Sequence, residues 1–121
     1  MEFIELDKHV TLGEQLAQEI GPVVLVNIFH VAPEDADQLL KAWADDALYF
    51  KRQPGFISAQ IHRGIAGSGS FLNYAVWESV AHFRRALENP EFRAKLAAYP
   101  SSVVATPHLF QRVSVPNVCV A

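Results

Sequence analysis

A chain of 121 residues, 50% hydrophobic and 19% charged, is long enough for one packed domain and too apolar for extended disorder. Its net charge of −3, with the ten basic residues scattered, leaves no Lys/Arg run for a nucleic acid, and no apolar run approaches the ~20 residues that span a bilayer. Cys119 is the one cysteine, which excludes an intrachain disulfide, and the acidic first residues lack a signal peptide's apolar centre, so a cytoplasmic location is expected.

Residues 1–21 read as an N-terminal arm. Phe3, Ile4 and Leu6 suit a short edge strand. Thr11 and Glu14 have capping-box spacing, which predicts a short helix through Leu16 and Ile20 that ends at Gly21. From Pro22 to Val31 the β-branched run predicts a strand buried on both faces. Val23, Leu25, Asn27, Phe29 and Val31 share one face, and Val24, Val26, Ile28 and His30 the other. Ala32-Pro33-Glu34-Asp35 opens a helix, because proline and acidic residues suit a first turn. Ala36, Leu39, Leu40, Trp43, Ala47 and Phe50 form its apolar stripe to about Arg52, with Asp37, Lys41, Asp45 and Lys51 outward.

Gln53-Pro54-Gly55 is a turn, and Phe56–Gly64 alternates as a strand. Ala66–Gly69 reads as a four-residue hairpin loop, and residues 70–78 as the returning strand. With that loop, Ile65 pairs with Ser70 and His62 falls opposite Asn73, so His62, Asn73 and Trp77 line one face; a one-residue slip would separate them. Ser79 is an N-cap for a short helix packed through Phe83, Ala86 and Leu87. Asn89-Pro90 restarts the helix, with Phe92, Leu96 and Tyr99 inward and Arg93 at the edge of that face. Residues 100–107 read as a connector and His108–Val115 as a last strand. Residues 22–115 thus form the domain, and the apolar tail, residues 116–121, is expected to tuck against something, a partner subunit being one candidate.

The order is arm, β, α, β, β, α, β. This is the split βαβ of an α+β, ferredoxin-like fold, with a four-stranded antiparallel sheet and helices on one face. Val24, Val26, Ile28, Ile57, Ile61, Leu72 and Val76 are then left for the other face, and a second copy packed sheet to sheet about a two-fold axis would cover them.

Asn73 and Trp77, four apart on an apolar strand, are either a half-satisfied core or the floor of a pocket. Each candidate also has a structural role open to it. Trp77 fits as a core aromatic, Asn73 as a partner for loop backbone and His62 as a solvated strand residue. His82 suits a contact back to the helix start, Arg93 a surface ion pair, and Asn27 any site where it is hydrogen-bonded. The five histidines show no paired metal-ligand spacing, and there is no phosphate-cradling glycine pattern and no nucleophile elbow.

Val23–Val31 followed by a helix, the Gln53-Pro54-Gly55-Phe56-Ile57-Ser58-Ala59 turn and strand, and Asn73-Tyr74-Ala75-Val76-Trp77-Glu78-Ser79 together resemble the antibiotic biosynthesis monooxygenase family of the dimeric α+β barrel superfamily, over roughly residues 22–115. The resemblance implies a homodimer acting on a small aromatic, anthrone or quinol-type substrate with O2, with no metal, flavin or haem cofactor. By position it puts the pocket asparagine at Asn73, the pocket tryptophan at Trp77, a strand histidine at His62 and an arginine at Arg93, while Phe83 replaces a pocket tyrosine. On that reading Asn73 and the Trp77 indole N–H stabilise an oxyanion, His62 or His82 is the base, and Arg93 holds a carboxylate or phenolate. Asn27 completes the pocket, with Phe29, Phe56, Phe71 and Phe83 as walls. The superfamily's haem-degrading branch matches at Asn27 but has Ala86 and Leu96 where its Trp and His belong. A non-catalytic binder of apolar ligands on the same fold is the alternative.

Overall fold

The computed structural model describes residues 1–121. Its strands are β1 (Glu2–Phe3), β2 (Val23–His30), β3 (Phe56–Arg63), β4 (Ser70–Trp77) and β5 (Val104–Phe110). Its helices are α1 (Leu12–Leu16), α2 (Ala36–Lys51), α3 (Val80–Glu88) and α4 (Pro90–Lys95), with single 3-10 turns before α2 and after α4. No helix is long and apolar enough to cross a membrane.

The ferredoxin-like core is present, with β5, β2, β4 and β3 adjacent and antiparallel. The sheet is five-stranded and mixed, not four-stranded and antiparallel, because β1 adds parallel to β5. Glu2 N donates to Val103 O at 2.8 Å and Ile4 N to Ala105 O at 2.9 Å. Where β1 has ended, Gln15 on α1 takes over the edge. Its amide accepts from Leu109 N at 2.9 Å and donates to Leu109 O at 3.0 Å, as a strand neighbour would. Thr11 caps α1 as expected, by accepting from Glu14 N, but the helix stops at Leu16 and does not run on to Ile20.

The last strand lies earlier than expected, at 104–110 and not 108–115. Pro107 argues against a strand, yet it is tolerated here because β1 pairs only with Val104 and Ala105, so the far edge of β5 needs no donor at Pro107. Ser79 and Asn89 cap α3 and α4 through His82 N and Glu91 N.

The register of β3 on β4 differs by one residue from expectation. Ile61, not His62, lies opposite Asn73, and His62 faces Leu72. Gly64 N donates to Ser70 O at 2.8 Å, so the ladder closes on Gly64 and the loop has five residues. Ala66 and Gly67, with φ of 60° and 71°, make the tight reversal inside it. The slip turns Ile61 inward and His62 outward. A bulge between Phe56 and Ser58 corrects the face again, so Phe56 opposite Trp77 points inward with Ala59 and Ile61.

Helix α2 buries Ala36, Leu39, Ala42, Asp46 and Tyr49, with Leu40, Trp43, Ala47 and Phe50 half-buried beside them. The buried stripe is thus rotated from the expected one and contains a carboxylate. The opposite sheet face is open within one chain: Ile57, Tyr74 and Ile28 are 56%, 43% and 39% exposed. Gln111, Arg112 and Ala121 border one end of that face beside Val24 and Tyr74.

Candidate active site

Between the sheet and helices α2–α4 lies a cavity of about 240 Å³, and 17 of its 21 lining residues are hydrophobic. Asn27, Asp46 and Asn73 supply its polar atoms, together with the polar edges of Trp77 and Tyr99. The asparagines face each other directly across β2 and β4. Directly opposed residues place their Cβ atoms about 5 Å apart, so the two amides form one polar spot on an apolar floor. Both Oδ1 atoms are buried without a hydrogen-bond partner in the protein. An orphaned buried acceptor is costly, so a hydrogen-bond donor bound beside these two oxygens would be stabilised there.

Trp77 is 1% exposed and is held by three rings. Phe50 and Phe56 meet it edge-on at 5.7 and 5.5 Å, and Phe83 packs at 5.5 Å. Of the residues singled out from sequence, Asn27, Phe29, Phe56, Asn73, Trp77 and Phe83 line this one cavity. Phe83 contributes a wall and no hydroxyl.

His62, His82 and Arg93 do not line it. His62 lies on the outer face, exposed, with Nδ1 3.3 Å from Leu72 O, because of the register of β3. His82 is occupied at the start of α3, with Nδ1 2.6 Å from Ser79 Oγ. Its ring packs on Gly55, whose φ of +85° and lack of a Cβ admit that approach. Arg93 is exposed on α4, off the face that carries Phe92 and Leu96 into the cavity. Phe71 is buried in the core beside the cavity, with Arg63 stacked 5.0 Å above its ring, and is not a cavity wall.

Asp46 is what sequence reasoning missed. It is 5% exposed. Tyr99 O–H donates to its Oδ2 at 2.5 Å, and its Oδ1 has no partner. Burial pushes the Asp46 carboxyl up to about 6; the Tyr99 hydrogen bond and Lys95 pull the other way and Asp45 adds to the rise. Burial, then the charge of Asp46, pushes the Tyr99 hydroxyl far above its ordinary range. The available signal was spacing: Leu39, Ala42, Asp46 and Tyr49 follow helical steps of three and four, so an acidic residue sits in a core stripe. The arm was also missed as part of the site, yet Met1, Phe3 and Leu12 line the cavity.

Comparison with known proteins places this geometry. Residues 22–98 match the family model for antibiotic biosynthesis monooxygenases. The chain is 38% identical over 72 residues to deoxynogalonate monooxygenase of Streptomyces nogalater and 37% identical over 73 residues to tetracenomycin-F1 monooxygenase of Streptomyces glaucescens. These alignments take in 58% and 57% of the chain, and 58% and 62% of those two proteins respectively, less than two thirds of either. The crystal structure of SnoaB, a cofactor-independent oxygenase from Streptomyces nogalater, superposes with a TM-score of 0.70 at 31% identity, over 81% of this chain and 99% of SnoaB. With the family model spanning more than half its length and the same fold in SnoaB, the chain belongs to the antibiotic biosynthesis monooxygenase family.

Proposed function

We propose that the chain is a cofactor-independent monooxygenase that oxidises a small fused aromatic of the anthrone or quinol type with O2, as a homodimer. One observation carries this reading: the Asn27–Asn73 pair, with two unpartnered buried oxygens, on the floor of an otherwise apolar cavity. At about 240 Å³ the cavity exceeds the ~150 Å³ that admits benzene, which suits more than one ring.

Triplet O2 does not react directly with closed-shell molecules, but an electron-rich enolate or phenolate can give it one electron. The resulting radical and superoxide combine to a peroxide anion, which takes a proton and loses water. For a ring methylene the sum is CH2 + O2 → C=O + H2O. The protein's part is to bind, ionise and shield the substrate. Under this reading the orphaned Asn27 and Asn73 oxygens accept from the substrate's hydroxyl groups, while the amide N–H groups and the Trp77 indole stabilise the oxyanion. The phenylalanine walls exclude water from the radical stage.

The test is O2 uptake by metal-stripped protein supplied with 1,8-dihydroxyanthrone. The expected result is one O2 consumed per anthraquinone formed, with Asn73→Ala and Trp77→Phe each slowing turnover by roughly tenfold or more. Uptake no faster than autoxidation, or wild-type rates in both variants, overturns it. The second reading, an apolar-ligand carrier, is favoured by the largely hydrophobic lining and predicts saturable binding without product.

A further inference from the structure

We propose that Asp46 is the base that ionises the substrate in this cavity, with Tyr99 as the residue that positions its carboxylate. The inference rests on the monooxygenase reading and names the proton acceptor that reading requires.

Among the side chains that line the cavity, Asp46 and Tyr99 are the titratable ones, and Met1 brings the α-amino group of the arm. Tyr99 is committed as a donor to Asp46 Oδ2, and its raised pKa removes it as a base. The histidines are placed elsewhere. His9, His30 and His62 are exposed, His82 is bonded to Ser79, and the buried His108 is bonded through Nε2 to Gln15; none is among the lining residues. Asp46 therefore has one oxygen anchored by Tyr99 and one buried without a partner, on a residue that lines the cavity. A purely structural anchor for Tyr99 gains nothing from a second oxygen left unpaired while buried.

The step balances. Asp46 Oδ1 takes the acidic C–H or O–H proton, and that bond's electron pair stays on the substrate as an enolate or phenolate. The oxyanion faces the Asn27 and Asn73 amides as the carboxylate becomes a neutral acid, so the cavity holds one negative charge before and after and never two. Once O2 has added, the acid returns its proton to the peroxide anion and Asp46 is reset. The groups that set its ionisation are Tyr99 beyond α4, Lys95 on α4 and Asp45 on its own helix, with Lys95 tied to Asp45 at 3.0 Å. The asparagines in the sheet are neutral. A carboxyl at about 6 is ionised at neutral pH and still basic enough to accept a proton.

The experiment uses the whole chain, with circular dichroism confirming that each variant is folded. Asp46→Asn is expected to lower kcat on 1,8-dihydroxyanthrone by roughly 10²–10⁴-fold with little change in KM. The wild-type rate rises through about pH 6; Asp46→Asn loses that limb, and its residual rate climbs only where the anthrone ionises unaided. Tyr99→Phe moves the limb to higher pH, because the O–H that favoured the carboxylate is gone. A wild-type rate with an unmoved limb in Asp46→Asn overturns the assignment and leaves the monooxygenase reading intact. If the wild type does not turn over, that reading fails, and Asp46 is judged by calorimetry with 2-naphthol and 2-methoxynaphthalene. The wild type should prefer the hydroxyl compound by about tenfold and Asp46→Asn by much less, as expected for a bond to a charged acceptor. No preference in the wild type, or the same preference in both, overturns the assignment.

Discussion

A carboxyl lifted from its ordinary 3.8 to about 6 leaves a signature in stability as well as in rate. Because the native pKa is the higher one, the native state binds more protons than the unfolded state between those two values. Stability therefore falls as pH rises through that window, and the penalty is fully present above about pH 6. Its size is on the order of 3 kcal/mol, at about 1.4 kcal/mol per pH unit. Replacing Asp46 by Asn removes the charge and keeps the shape. The difference in stability between Asp46→Asn and wild type should thus grow by about 2–3 kcal/mol from pH 4 to pH 7, equivalent to roughly 10 °C in Tm. Thermal unfolding of the two proteins in parallel cancels the other titrating groups. A difference that stays flat with pH means that Asp46 is not ionised against its surroundings and removes the electrostatic support for its role as base. Stability given up at a working residue is common, and the orphaned Asn27 and Asn73 oxygens fit the same pattern.

At the scale of elements, the arm is held by one side chain more than by its two-residue strand. Gln15 satisfies both backbone groups of Leu109 and reaches His108 Nε2 at 3.0 Å. Gln15→Ala leaves those half-buried groups unpaired and should cost about 1–3 kcal/mol in urea unfolding. A loss below ~0.5 kcal/mol would mean that water replaces the amide. Since Leu12 is one helical turn away and Met1 and Phe3 line the cavity, loosening the arm should also raise KM. Neither effect was legible in the sequence, because Gln15 carries no pattern and its partners lie more than 90 positions away. What could be read was local. The faces of β2 follow from alternation, the caps at Ser79 and Asn89 from single residues, and the Asn73–Trp77 side of β4 from a spacing of four. The misreadings came from non-local choices. Gly64 and not Ile65 closes the hairpin, which moved His62; a bulge returned Phe56 to the inner face; and a short neighbouring strand made Pro107 acceptable in β5. Asp46 was passed over because an acidic residue on an amphipathic helix is usually solvated, and only tertiary packing shows otherwise.

At the scale of the molecule, the proposed second copy would pack on the outer sheet face. Ile28, Ile57 and Tyr74 lie exposed on three adjacent strands, with Val26, Leu72 and Val76 between them half-buried. A contiguous apolar surface built from strand centres is rarely left to water. His108 points to this face with its Nδ1 buried and unpartnered, so even the polar group there lacks what a neighbour would supply. A second copy brings the same residues to the interface, as two-fold symmetry requires, and stable pairs bury about 800 Å² a side. Light scattering should therefore give twice 13.4 kDa at micromolar concentration. Ile57→Lys and Tyr74→Glu together place unpaired charges at the centre of the face and should shift the protein to a single chain. The cavity opens on the other side of the sheet, so the double variant should still bind 2-naphthol if one chain suffices for the site, and lose it if pairing holds β3 and β4 in register. A 13.4 kDa species for the unmodified protein would remove the second copy from the proposal and leave that face to another partner.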